Sequence, residues 1–163
     1  MTDSVIGIFH DSWVGIRELP TSFRNPLGLW MKAVWYKANP RSSAYMKALF
    51  AERYPGATFL DVGTGAISAA TIAGTSKVVL LYPDSIGLGY FAIERVIARQ
   101  ASRAEVEVLN GRRRQFAFDR TSRWALRFRR FLEWSMVIEC FAGVVLLLAT
   151  LFLLLFDFVR GKT

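Results

Sequence analysis

The stretch FLDVGTGAISAATIAGTSKVVLLYPDS, Phe59 to Ser85, decides how this chain is read. It holds two apolar runs, one ending at Asp61 and the other running to Pro83-Asp84, with glycine, alanine, serine and threonine between them. Two folds compete for it. In the first, Ala57–Val62 is a buried strand, Ala66–Gly74 a short helix, and Lys77–Tyr82 a second strand stopped by Pro83-Asp84. In the second, residues 62–82, whose single charge is Lys77, form a weak membrane span of the small-residue kind, and the protein is mostly helical.

The flanking sequence favours the first. Ser42 and Ser43 suit a helix cap, and Tyr45, Leu49 and Phe50 follow at helical spacing as far as about Tyr54, where Pro55-Gly56 ends the run. Leu88 to about Ser102 reads as a helix. Glu105–Leu109 reads as a third strand, closed by Gly111, and Gln115–Phe118 as its hairpin partner. Strands alternating with helices predict an α+β or small α/β domain with three or four short strands, placed over residues 42–120. Residues 1–41, punctuated by Pro20, Pro26 and Pro40 and carrying Trp13, Trp30, Trp35 and Tyr36, read as an extended aromatic arm whose rings bury either against the domain itself or along a neighbouring subunit, the second being preferred.

One long transmembrane helix is expected after the domain. Sixteen residues from Phe141 to Phe156 carry no charge, and extension back to Trp134 adds only Glu139. A spanning helix needs about 20 apolar residues, so residues 135–158 are assigned to the bilayer and 159–163 to a short tail. The opening residues lack the basic start of a secretory signal. Of the formal charge of +8, most comes from eight arginines between Arg112 and Arg130, against one acid, Asp119. By the positive-inside rule this places the bulk of the chain on the cytoplasmic or matrix side. A mitochondrial inner membrane is preferred to a bacterial plasma membrane, and anionic lipid such as cardiolipin, rather than nucleic acid, is the expected counter-charge.

Residues 121–134 form a basic amphipathic approach to the span. Trp124, Phe128, Phe131 and Leu132 share one side. Arg123, Arg127 and Arg130 share another, and these with Trp124 are the expected head-group contacts. Within the span, Ser135, Ala142 and Ala149 recur every seven residues, with Gly143 beside them and Glu139 on the same side. These five are the expected helix-packing face.

The lone Cys140 and the lone His10 offer no disulfide and no metal pattern. The residues closest to chemistry are those of the opening stretch. FLDVGTGA resembles the first motif of class I S-adenosylmethionine-dependent methyltransferases, a hydrophobic strand followed by Asp-x-Gly-x-Gly, and KVVLLYPDS resembles their second strand. The resemblance implies that Asp61, Gly63 and Gly65 shape a cofactor turn and that Asp84 holds a ribose. Ile67 stands where that family has a third glycine, and the chain is too short for its seven-stranded sheet. LYPDSIGLG resembles the Pro-Asp-Gly-x-Gly loop of membrane-associated glycosyltransferases of the teichoic acid and enterobacterial common antigen type, with Ser85 in a glycine position. These likenesses imply a small membrane-anchored transferase using S-adenosylmethionine or a nucleotide sugar, or a remnant of one. The reading preferred on the residues themselves is a non-catalytic accessory subunit of a multisubunit membrane complex. In general character it is similar to supernumerary subunits of respiratory complexes and ATP synthase, with other membrane subunits as partners, no catalytic residues, no cofactor and no metal.

Overall fold

Val5–Phe9 (VIGIF) is a strand, β1, and it stands inside the sheet rather than in an arm. The structure, a computed structural model, describes residues 4–20, 24–63, 72, 74–101 and 104–161. After β1 come a single helical turn, α1 (Val14–Arg17), and the helices α2 (Pro26–Ala38) and α3 (Ser43–Arg53). They are followed by β2 (Thr58–Asp61), β3 (Lys77–Tyr82), α4 (Phe91–Gln100), β4 (Glu105–Asn110) and β5 (Gln115–Ala117). The chain ends in α5 (Arg120–Ser135) and α6 (Val137–Val159). It divides into two compact units, Met1–Arg127 and Phe128–Thr163.

The first unit is built on one sheet of order β2-β1-β3-β4-β5. The four leading strands are parallel, and β5 pairs antiparallel with β4. Strands covered on both faces read as near-continuous apolar runs, as VIGIF and KVVLLY do. Alternation sorts their side chains. Phe9, Val79, Leu81 and Leu109 pack with Met46, Leu49 and Phe50 of α3 on one face. Ile8, Val78, Leu80, Tyr82 and Val108, all buried, point to the other, where the Tyr82 hydroxyl donates to Glu94 of α4 at 2.6 Å. Gly7 in β1 lies directly under the Phe50 ring.

The fold class expected, an α+β or small α/β domain followed by one long apolar helix, is the one observed. Details differ. Five strands are present among the described residues, where three or four were expected. The supposed arm contributes β1, α1 and α2. Helix α2 has the sequence signals of a start, an Asn25 side chain accepting from Gly28 N at 2.9 Å and Pro26 at the first position. The alternative span over residues 62–82 fails at Lys77–Tyr82, which is β3. Most of the short helix expected at Ala66–Gly74 lies outside the described residues.

In the second unit, α6 is predominantly apolar and has no buried residue, with a mean hydropathy of 2.6. Among the described residues it is the one helix long and apolar enough to cross a membrane. The approach to it is not continuous. Met136 takes a left-handed conformation, φ 51° and ψ 25°, and separates α5 from α6. Non-glycine residues adopt that conformation only at a steric cost.

The close approach at Gly7 yields a test. A Cβ there would lie 2.7–2.8 Å from the Phe50 ring, so Gly7→Ala should lower stability by about 1–3 kcal/mol through overpacking. Gly15→Ala, which meets nothing within 4 Å, should be neutral or slightly stabilising. Thermal unfolding of both variants in detergent, followed by circular dichroism, checks the pair.

Candidate functional site at the carboxyl ends of the central strands

A sheet of this order has its switch point between β1 and β3, because the chain leaves β1 toward β2 and then crosses back to β3. Ligands of open parallel sheets bind in the crevice outside the carboxyl ends of the strands at that point. Here the crevice is bounded by His10–Trp13, leaving β1, and by Pro83–Tyr90, leaving β3.

The two loops are bound to one another. Asp84 is 2% exposed. Its Oδ1 accepts from the backbone N–H groups of Ile86 and Gly87. Its Oδ2 accepts from Leu88 N at 3.0 Å and from the Trp13 indole N–H at 3.2 Å. Ser12 Oγ donates to Leu88 O at 2.7 Å. The buried Tyr90 hydroxyl accepts from His10 N at 2.7 Å and donates to Leu81 O. From the other side, Arg41 N donates to Pro83 O at 2.8 Å, and the Asn110 side chain donates to Ser85 O at 3.0 Å. Burial pushes the Asp84 carboxyl above its ordinary range, although its four N–H donors each oppose that shift. Burial likewise raises the Tyr90 phenol well above its usual value. An opening beside the loop, lined by Asn39, Arg41, Asp84, Ser85 and Arg112, holds about 40 Å³. That is room for a few waters and far below the 300–1,000 Å³ of ordinary ligand pockets.

Two glycines make the loop possible. Gly87 has φ 67°, and a Cβ on it would strike the Tyr82 ring; Gly89 has φ 89° and faces Ser12. Both belong to the stretch SIGLGY, whose glycines serve close packing of the chain on itself.

The residues singled out for a cofactor do not converge. Asp61 ends β2, at the edge of the sheet, and Gly63 follows it; Gly65 lies outside the described residues. Asp84 follows β3, and β1 stands between them. In a dinucleotide-binding sheet the glycine turn follows the switch-point strand, and the ribose acid ends its immediate neighbour. That arrangement is not reproduced. Asp61 is an exposed strand-end residue, accepting from Gly63 N at 3.2 Å and from Ser43 Oγ at 2.6 Å. Gly63 has φ 51°, and its carbonyl lies within hydrogen-bond distance of His10 Nδ1. Among the described residues no group of three His, Cys, Asp or Glu side chains could hold a metal ion.

A second polar cluster went unnoticed in the sequence because its members are far apart along the chain. On the α3 face, Glu107 accepts from Tyr54 Oη at 2.6 Å, Lys77 Nζ at 3.1 Å and Gln115 Nε2 at 2.8 Å. Burial and the Glu107 bond push the Tyr54 phenol up to about 12. For Glu107 burial acts upward, but the hydrogen bonds from Tyr54, Lys77 and Gln115 together hold its carboxyl below the usual range. The period-2 alternation of EVEVLN, with Glu107 on the same face as Leu109, was the one available signal. An open depression of about 510 Å³ adjoins Tyr54 at the amino ends of β1 and β2, away from the switch point.

The membrane residues also sort differently from expectation. Trp124 is 65% exposed and Arg127 is exposed, whereas Arg130 is 2% exposed and does not face the surroundings. Arg123 is half-buried, its guanidinium 5.5 Å from the Phe118 ring. Ser135 belongs to α5 and donates to Leu132 O at 3.3 Å. The left-handed Met136 takes it out of register with Ala142 and Ala149. Glu139, Ala142, Gly143 and Ala149 remain on one helix, α6, with Thr150 on the same side.

The chain thus joins a doubly wound α/β domain to a single helix able to cross a membrane. It matches no known protein-family model, no curated protein and no solved structure.

If Asp84 is an internal fastener, its charge type matters to folding. Asp84→Asn turns one acceptor into a donor facing donors and should lower stability by about 1–3 kcal/mol. Asp61→Asn, at an exposed strand end, should change it by less than about 0.5 kcal/mol. Equal melting of the two variants in detergent would contradict this.

Proposed function

We propose that this is a single-pass membrane protein acting as a non-catalytic accessory subunit of a larger membrane complex, where it contributes to assembly and stability. The observation that carries the reading is the clasp between the two loops at the switch point. Both oxygens of Asp84 are engaged by four N–H donors, and Trp13, Ser12 and Tyr90 hydrogen-bond across the two loops that bound the place where a fold of this order takes its ligand. The domain is therefore suited to present a rigid surface. Respiratory complexes and ATP synthase are the assemblies whose small subunits share this basic, aromatic-rich character.

A transferase is the second reading. It is favoured by the parallel sheet and by left-handed Gly63 beside the His10 ring. It requires S-adenosylmethionine or a nucleotide sugar to bind near Gly63, and calorimetry on the full chain in detergent separates it from the first.

The subunit reading is tested within α6. A Cβ on Gly143 meets nothing within 4 Å in the chain itself, so a bulky residue there acts only through a partner. Gly143→Leu keeps the span apolar and should release the protein from its assembly on native gels after mild extraction. Leu148→Phe and Leu155→Phe, on the opposite side of the helix, should not. Identical co-migration of all three would remove the packing face.

A further inference from the structure

Helix α5 presents a row of large aromatic side chains that the fold leaves uncovered. Trp124 and Phe128 are each 65% exposed and Phe131 is 63% exposed. Trp124, Phe128 and Phe131 follow the four- and three-residue spacing of one helical face. Leu126 and Arg130, on the other side, are 7% and 2% exposed, so α5 already has a covered side and the aromatic row is not it. Arg120 and Arg127, both exposed, flank the row. The row also ends next to the membrane. Ser135 closes α5, and after the single left-handed residue Met136 the spanning helix begins at Val137.

From these we infer that the Trp124–Phe128–Phe131 face of α5 lies in the head-group layer of the bilayer that α6 crosses, with Arg120 and Arg127 on anionic phosphates. The inference rests on the reading of α6 as a span. Distance decides the orientation. Trp124 and Phe131 are seven residues apart, about 10 Å along a helix. The interfacial layer is only about 5–8 Å deep on each side of the hydrocarbon core. A helix continuing straight out of the membrane would lift Trp124 clear of that layer into water. A helix lying flat keeps the whole row at one depth, with apolar rings at the acyl boundary and guanidinium groups among the phosphates. Met136 breaks the helical course between α5 and α6, so that the two need not share one axis. Arginine rather than aspartate or glutamate beside the row selects an anionic surface. This revises the expected head-group set: Trp124 and Arg127 remain, Arg120, Phe128 and Phe131 join them, and half-buried Arg123 and buried Arg130 leave.

The test uses the full chain in a Cys140→Ser background, reconstituted into vesicles of phosphatidylcholine with phosphatidylglycerol. Spin labels are placed singly through Trp124→Cys, Phe131→Cys, Arg129→Cys and Leu147→Cys. The ratio of oxygen to nickel-chelate accessibility reports depth. The expected result is equal interfacial depth for the labels at 124 and 131, an aqueous label at 129 and a deep one at 147. Arg120→Gln with Arg127→Gln should shift the label at 124 toward water. Labels at 124 and 131 that read aqueous while 147 is deep would overturn the proposal, leave the span intact, and point to a protein as the occupant of this face. A label at 147 in water would overturn the span itself. Unchanged depth at 124 in the double arginine variant would remove the anionic surface from the proposal.

Discussion

A buried carboxylate with four N–H donors holds the first unit of this protein together at its switch point. Such a group is tolerable only because each oxygen is fully satisfied, and hydrogen bonds to an ionised acceptor are worth roughly 1.5–3 kcal/mol each. Asp84 uses them to join segments 71 residues apart, since one donor is Trp13 just past β1 and three are the amides of its own loop. The neighbouring choices follow. Gly87 must turn against the Tyr82 ring, and Gly89 must pass close to Ser12. Tyr90 must reach back to the Leu81 carbonyl. A stretch that resembles a substrate loop in sequence is, in space, a clasp between two parallel strands.

The same physics explains which elements were legible. KVVLLY and EVEVLN read as strands because continuous or alternating apolar runs bounded by proline and glycine have few other uses. Ser42 announced α3, and its side chain does accept from Tyr45 N. β1 was missed although VIGIF is as apolar as β3. The prolines and tryptophans after it drew residues 1–41 into a single irregular segment, and nothing local says that a five-residue run will be flanked by strands from residues 58 and 77 onward. Strand order is a non-local property, and with it went the site. Asp61 and Asp84 looked like successive members of one motif, yet β1 inserts between their strands. Of the two acids, Asp84 was readable as a turn former after proline; its partnership with Trp13 was not. The break at Met136 had no signal at all, because methionine has no preference for a left-handed backbone.

The membrane-facing half follows from composition more directly than the domain does. None of the 23 residues of α6 is buried, and water is a poor solvent for such a surface. The basic stretch before it is not uniform, however. Arg123 turns to the Phe118 ring, Arg130 is buried and Arg127 is exposed. Charge counting along a sequence treats these side chains as equivalent. Their burial separates those available to a surface from those that belong to the protein's own packing.

The central claim is that the loops bounding the switch point are fastened to one another by the protein's own hydrogen bonds. Native-state hydrogen exchange of the full chain in lipid nanodiscs tests it most directly. The backbone amides of Ile86, Gly87 and Leu88 lie in a loop, where exchange is ordinarily fast. If Asp84 holds them as described, they should exchange as slowly as the strand amides of Val79 and Leu81, opening only when the whole domain unfolds. Exchange at the rate of exposed turn amides would contradict the account and reopen the crevice between β1 and β3 as a place for a ligand.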